Sequence, residues 1–159
     1  MEAEAGIHVR LADAGDDDFI LGLVDRFVEF ELPSWRRRGE TAAGIRRDIQ
    51  RHLSEQPAGS HLFVAEDDEG ERVGFLHLQM VSDFFTGAPN CHISDLAVAR
   101  GHDGKGVGSA LIAYAERWAR EHHCRFLTLA AFPGNTRGRE LYTRHGFGEE
   151  LIRMTKPLR

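Results

Sequence analysis

Residues 96–109, Leu-Ala-Val-Ala-Arg-Gly-His-Asp-Gly-Lys-Gly-Val-Gly-Ser, constrain this chain more than any other stretch. A strand-like run, Cys91 to Val98, ends in a loop with glycines at 104, 106 and 108, and a strongly amphipathic helix begins at once. Alternate glycines leave backbone N–H groups uncovered by side chains. The new helix adds its own unpaired N–H groups and a partial positive charge. Such an arrangement holds a phosphate or pyrophosphate.

Two familiar phosphate loops fail the test of spacing. A P-loop needs Ser or Thr after its Lys, and Lys105 is followed by Gly106. A dinucleotide loop needs G-x-G-x-x-G and an acid at the end of the next strand. This chain has G-x-G-x-G, and its next apolar run, Phe126 to Phe132, carries no acid.

Periodicity places the other elements around this loop. Ile7 to Ala12 alternates as a first strand. Asp16 to Asp18 open a helix with Phe19, Leu23, Val24 and Phe27 on one face, ended by Leu32-Pro33. Thr41 to Ser54 is a second amphipathic helix. His61 to Glu66, Arg72 to Val81 and Cys91 to Val98 are strands, the last pair joined by a hairpin over Asp83 to Asn90. A helix over Val107 to His122 buries Leu111, Ile112, Ala115 and Trp118. Phe126 to Phe132 suits a buried strand, Thr136 to His145 a helix stopped by Gly146, and Phe147 to Lys156 one or two final strands. The order is that of a mixed α/β layer, and 159 residues suit one domain, 1–159.

Once the nucleotide loops are set aside, the glycine segment resembles the acyl-coenzyme A loop of the GNAT N-acetyltransferase family, Arg/Gln-x-x-Gly-x-Gly/Ala after a strand ending in Val. A second segment, Asn135-Thr-Arg-Gly-Arg-Glu-Leu-Tyr-Thr-Arg-His-Gly-Phe147, is similar to that family's N-x-x-A-x-x-L-Y-x-x-x-G-F signature, with Gly138 in place of Ala. Both segments occur in the family's order, separated by a helix and a strand. The resemblance implies a central sheet of six to seven strands flanked by four helices, splayed between the strands at 91–98 and 126–132. Acetyl-coenzyme A would lie in the split as acyl donor, with no metal. Its pantetheine arm would hydrogen-bond to the backbone of Leu96 to Val98, through Ala97, like an added strand. Unpaired edge groups of a splayed pair make that reasonable. Its phosphates would sit on the backbone of 103–109 (Asp103, Gly104, Lys105, Gly106, Val107, Gly108, Ser109), with Lys105 and Arg139 as cations and Asn135 near the pantetheine.

Acetyl transfer to an amine needs a neutral nitrogen, a polarised thioester and a proton for the leaving thiolate. Tyr142 occupies the family's tyrosine position, which implies a general acid directed at the coenzyme sulfur. Seven residues after Asn135, it returns to nearly the same helical face. The base is less determined. Relatives that use a Glu on the fifth strand would have it at Ala130, and others have an acid at Ser94. Strand alternation puts His92 and Ser94 on one face and Asp95 on the other, so His92 is the face-compatible base, with Asp95 or solvent as alternatives. Asp103, where the family has Arg or Gln, is expected to oppose the pyrophosphate unless it turns away or caps the helix. Acceptor-site segments in the family correspond to Glu29, Phe30, Glu31 and Trp35, and to Asp83, Phe84 and Phe85. Acids among aromatics suit an amine cation.

Composition removes other classes. The net charge of −5 argues against general nucleic-acid binding. Arg36 to Arg38, the one basic run, reads as a solvated face. No apolar run spans a membrane, the acidic start is no signal peptide, and Cys91 and Cys124 read as reduced buried thiols. A cytoplasmic location is therefore expected. His122-His123 suit the negative end of a helix dipole better than a metal site. The expected partner is a small amine-bearing substrate, and the resemblance admits a homodimer. The alternative function is a catalytically silent acyl-coenzyme A binding module, a reading that Asp103 favours and Tyr142 disfavours.

Overall fold

Five strands form one sheet in sequence order, and the computed structural model describes residues 6–158. Strands β1 (His8–Leu11), β2 (Ser60–Glu66), β3 (Arg72–Ser82) and β4 (Pro89–Val98) are antiparallel neighbours, and β5 (Leu127–Leu129) joins β4 in parallel. Helices α1 (Asp17–Leu21) and α2 (Arg38–Glu55) cover one face. Helix α3 (Val107–Glu121) covers the other, and α4 (Thr136–Arg144) follows β5. The first helix is shorter than its pattern suggests. It stops at Gly22, and the chain continues as a 3-10 turn over Val24–Phe27 that still buries Val24.

The layers follow from alternation. Phe63, Leu76, Leu78, Cys91 and Ile93 point toward α3, which answers with Leu111, Ala115 and Trp118. Val64, Phe75 and Ala97 point the other way, against Ile20, Val24 and Ile49. Gly74 lets the layers meet, because a Cβ there would lie 2.8 Å from the Ala97 carbonyl and 3.0 Å from Val107. His122 closes α3 by donating from Nδ1 to the Trp118 carbonyl at 2.7 Å, as its place near the dipole's negative end suggests. The Cys91 thiol is fully buried, and desolvation pushes its pKa up to about 12, so it packs rather than reacts.

Three expectations are corrected. First, the sheet has five strands among the described residues, not six or seven. β5 keeps only three residues of the run 126–132, and 147–158 form no strand. Leu151, Ile152, Met154 and Leu158 there are 75–89% exposed, and the segment pairs with none of the sheet's open edges. Second, β4 carries a bulge. His77 pairs with Asp95 while Leu78 pairs with Ile93, so Ser94 is the extra residue. Ile93 and Leu96 both face the α3 layer, which turns His92, Ser94 and Asp95 together onto the α2 face. Simple alternation had put Asp95 on the opposite face. Third, the basic run Arg36 to Arg38 is exposed as expected, but Arg38 is more than a solvated charge, since its guanidinium donates to the Val28 and Phe30 carbonyls and pins the loop before α2.

A buried ion pair locks the entry to α1. Asp16 is fully buried and accepts both guanidinium nitrogens of Arg10, at 2.8 and 3.0 Å, with Arg72 at 3.1 Å. The Arg10 hydrogen bonds hold its carboxyl below the ordinary 3.8, against the opposing effect of burial. Because the folded pKa is depressed, this contribution to stability is present above the unfolded carboxyl value and is lost as pH falls through the folded one. Asp16→Asn should cost about 3 kcal/mol by urea unfolding at pH 7. A change under about 1 kcal/mol would show that the pair is dispensable.

Candidate active site

The parallel ladder between β4 and β5 joins only Cys91–Leu127, His92–Thr128 and Ile93–Leu129. Beyond Ile93 the two strands part, and β4 leaves the edge from Ser94 to Val98 without a strand partner on that side. A cavity of about 610 Å³ opens there. Its floor is Leu96, Ala97 and Val98. One wall is the turn and start of α3, Asp103 to Ser109 without Lys105. The other is α4 with the preceding Gly134 and Asn135, and Arg26, Phe27, Glu29 and Phe30 close over the top.

The phosphate end is built by backbone geometry. Gly106 caps α3 at φ +83°, a left-handed conformation that suits glycine, and no side chain bonds the open N–H groups of the first turn. Helix dipole and free N–H groups therefore face the cavity. Gly108 has a different role. A Cβ there would stand 2.8 Å from Leu141, so this glycine lets α4 lie against α3. Asn135 accepts the Gly138 N–H at 3.0 Å as N-cap of α4, and a Cβ at 138 would overlap the Asn135 side chain.

Asp103 does not stand as a bare charge against the phosphate end. Its carboxylate accepts from Arg26 at 2.6 Å and lies 3.3 Å from Arg137, bridging the turn after α1 to α4 across the mouth. Arg26 also donates to the Val98 carbonyl at 3.0 Å and pairs with Glu29 at 2.8 Å. The two cations expected from sequence lie elsewhere. Lys105 is exposed and off the cavity, and Arg139 is turned to the Pro133 carbonyl and Glu149. Arg26, Arg137 and Arg144 line it instead. Arg137 and Arg144 were visible as members of the second signature. Arg26 carried no signal, because only the fold brings it to β4.

Tyr142 lies at the inner wall of the cavity, its ring edge-on to Phe147 at 6.0 Å. Its hydroxyl has no hydrogen-bond partner among the described residues. Desolvation raises its pKa above 10.0, which keeps the phenol protonated and able to donate. His92 and Asp95 lie on the α2 face and do not line this cavity. His92 Nδ1 meets Thr128 Oγ1 at 2.8 Å. Burial lowers its pKa below 6.5 against the opposing pull of Asp95, so the ring is neutral at pH 7.

The acceptor segments divide. Glu29 and Phe30 line the cavity, with Phe30 6.1 Å from Phe132, and Glu29 is held by Arg26 and Arg100. Glu31 supplies a backbone contact, its carbonyl occupying the space a Cβ on Gly134 would need. Trp35 is 46% exposed and lies off the cavity. Asp83 is structural. It accepts from Thr86 and Asn90 to close the β3–β4 hairpin, at the end of β4 remote from the phosphate turn, and Phe84 and Phe85 project from the same hairpin. No group of three or more His, Cys, Asp or Glu able to hold a metal occurs among the described residues.

Comparison with known proteins bears on this geometry directly. The acetyltransferase (GNAT) family profile matches residues 24–147, which contain the splayed strands, the glycine turn and α4. The chain belongs to the GNAT acetyltransferase family. It is 33% identical over 92 residues to a streptothricin acetyltransferase of Streptomyces lavendulae, covering 58% of this chain and 47% of that protein. It is 31% identical over 142 residues to a mycothiol acetyltransferase of Propionibacterium freudenreichii subsp. shermanii, covering 87% of this chain and 43% of that protein. The chain thus spans less than half the length of these curated relatives. Among solved GNAT folds, the aminoglycoside N-acetyltransferase AAC(6')-Iy in complex with CoA superposes with a TM-score of 0.72 at 21% identity, covering 100% of this chain and 99% of that one. A ribosomal-protein-alanine N-acetyltransferase from Brucella melitensis biovar Abortus 2308 gives 0.70 at 21% identity, covering 96% and 99%.

Proposed function

We propose that this GNAT chain moves the acetyl group of acetyl-coenzyme A directly onto a primary amine of a small molecule or peptide. The observation that carries the reading is the cavity between the parted strands β4 and β5. It joins uncapped N–H groups at the start of α3 to an unpartnered, protonated Tyr142 hydroxyl. The first suits a pyrophosphate and the second a developing thiolate. Between them, the edge of β4 from Leu96 to Val98 offers backbone groups to the amides of a pantetheine arm. The neutral amine attacks the thioester carbonyl, and the C–N bond forms as the C–S bond breaks. Tyr142 gives its proton to the sulfur, and the proton shed by nitrogen leaves the cavity through water for the polar face of β4, where His92, outside the cavity lining, is the neutral base. The alternative of a silent binding module rested on Asp103, and the pairing of that carboxylate with Arg26 and Arg137 removes its support.

Free-thiol release from acetyl-coenzyme A, followed with a panel of amino acids, polyamines, aminoglycoside-type amines and peptide amino termini, tests the reading. Amine-dependent release supports it. Tight coenzyme binding with no release for any amine would return the chain to the silent-module reading. Because the His92 pKa is lowered, the acid limb of kcat/KM should fall below the ordinary imidazole value of 6.5 and disappear in His92→Gln. An unchanged limb in that variant would assign the proton to another group.

Asp103→Asn should free Arg26 and Arg137 for the phosphates and tighten coenzyme A binding about fivefold at low salt, near 1 kcal/mol. Calorimetry at two salt concentrations measures this. Weaker binding in the variant would mean that the bridge itself shapes the mouth.

A further inference from the structure

Behind the bulge of β4, on the face covered by α2, runs a chain of polar side chains, buried at its two histidines and open to solvent at Arg51, that the proposed chemistry does not use. Asp95 Oδ2 lies 2.8 Å from His77 Nδ1, and His77 Nε2 lies 2.8 Å from Ser60 Oγ. Ser60 Oγ lies 2.7 Å from His52 Nδ1, and His52 Nε2 lies 3.1 Å from an Arg51 guanidinium nitrogen. His77 is fully buried and His52 is 3% exposed, with the two rings 4.5 Å apart. Four links thus cross from α2 through β2 and β3 to β4.

The two ends fix the direction of every link. A guanidinium only donates, so His52 Nε2 must accept, and a neutral imidazole then donates from Nδ1. Ser60 accepts from His52 and passes its own hydrogen to His77 Nε2. His77 is left with Nδ1–H, aimed at a carboxylate that only accepts. Every group is satisfied in this arrangement alone, with both rings neutral and every donor pointing toward Asp95. An imidazolium at His77 would put two N–H donors on Ser60 and leave the Ser60 hydroxyl hydrogen without an acceptor in the chain, and one at His52 would set its Nε2–H against the Arg51 guanidinium. Burial lowers the His52 pKa, which favours the neutral ring, although Asp48, 3.6 Å from Nε2, pulls the other way. The chain cannot carry a proton outward from Asp95 unless every link turns over. It is therefore an orienting device and not an exit path.

We propose that Arg51, His52, Ser60 and His77 are positioning residues that act through Asp95, holding its carboxylate fixed beside His92 and Ser94 on the α2 face of β4. The bulge makes this arrangement, because in regular alternation Asp95 would share the face of Ile93 and point to the α3 layer. The role in turnover rests on the proposed acetyl transfer. The direction of the chain does not.

Ring-nitrogen NMR of the protein without ligand tests the direction. Both His52 and His77 are expected as neutral Nδ1–H tautomers at pH 7. In Ser60→Ala both rings keep that form, because Arg51 still requires His52 Nε2 to accept and Asp95 still takes the His77 Nδ1–H, while the link between the rings is lost. An Nε2–H tautomer or an imidazolium at either ring in the wild type overturns the chain. Kinetics tests the role: Ser60→Ala should lower kcat about tenfold with KM for acetyl-coenzyme A unchanged, and Ser60→Thr, which keeps a hydroxyl, should restore it. Wild-type kcat in a folded Ser60→Ala variant overturns the positioning role. If the wild type releases no thiol with any amine, the acetyl-transfer reading fails, and the ring-nitrogen spectrum alone then supports or overturns the chain.

Discussion

Tyr142→Phe is expected to leave coenzyme A affinity within about twofold of the wild type while turnover falls about 100-fold. The ring stays, so its edge-on contact with Phe147 and the wall it forms for the cavity persist. Only the oxygen is lost. That oxygen has no internal partner among the described residues, so removing it strands no buried donor or acceptor and should barely change stability. The loss falls on a step in which charge develops on sulfur, where a protonated phenol acts as acid. The raised pKa, caused by desolvation, keeps that proton in place through the neutral range. A fall in kcat and kcat/KM together, with calorimetric coenzyme affinity retained, is the signature of an interaction made in the transition state. Near-wild-type turnover in this variant would return Tyr142 to a packing role.

How much of this the sequence disclosed depended on whether each signal was local. Helix α3 was legible because its apolar stripe repeats at helical spacing, and Leu111, Ile112, Ala115 and Trp118 are buried as that spacing requires. Strands β2, β3 and β4 fell within two residues of their patterns, as expected for alternation with one buried face. The final strand failed for a physical reason. Residues 147–156 have strand-like content, but a strand forms only against an edge, and partner availability is not a local property.

The site shows the same division. Gly106 and Asn135 were readable, because a left-handed cap and an N-cap are chemical demands on single residues. The face of Asp95 was not, because one extra residue in β4 inverts the alternation downstream, and the bulge exists only in the pairing with β3. Asp103 was misjudged as an uncompensated charge, since Arg26 lies 77 positions away in sequence and meets it only in the folded sheet. His52, Ser60 and His77 likewise looked unrelated along the chain, on a helix and two strands, until α2 packed across the bulge.

Two glycines that share one motif are expected to fail in different ways. Gly106→Val forces a β-branched residue into φ +83°, which costs about 1–2 kcal/mol of stability and tilts the first N–H groups of α3 away from the cavity. Coenzyme A affinity should fall at least tenfold in a protein that still folds, because the ligand's phosphates lose the backbone donors that hold them. Gly108 acts through packing. Its hydrogen faces Leu141 of α4, and a Cβ there would stand 2.8 Å from Leu141 Cδ2, too close to keep. Gly108→Ala should push α4 outward and carry Tyr142, the next residue, with it, so turnover falls more than affinity. Space restored by Leu141→Ala should return part of that turnover, giving a non-additive pair, whereas Leu141→Ala should do nothing for Gly106→Val. Calorimetry of coenzyme A on the two single variants and turnover of both double variants separate the roles. Wild-type affinity in a folded Gly106→Val protein would remove the α3 N-terminus as the phosphate site. Additive effects of Gly108→Ala and Leu141→Ala would show that the contact between α3 and α4 does not position the tyrosine.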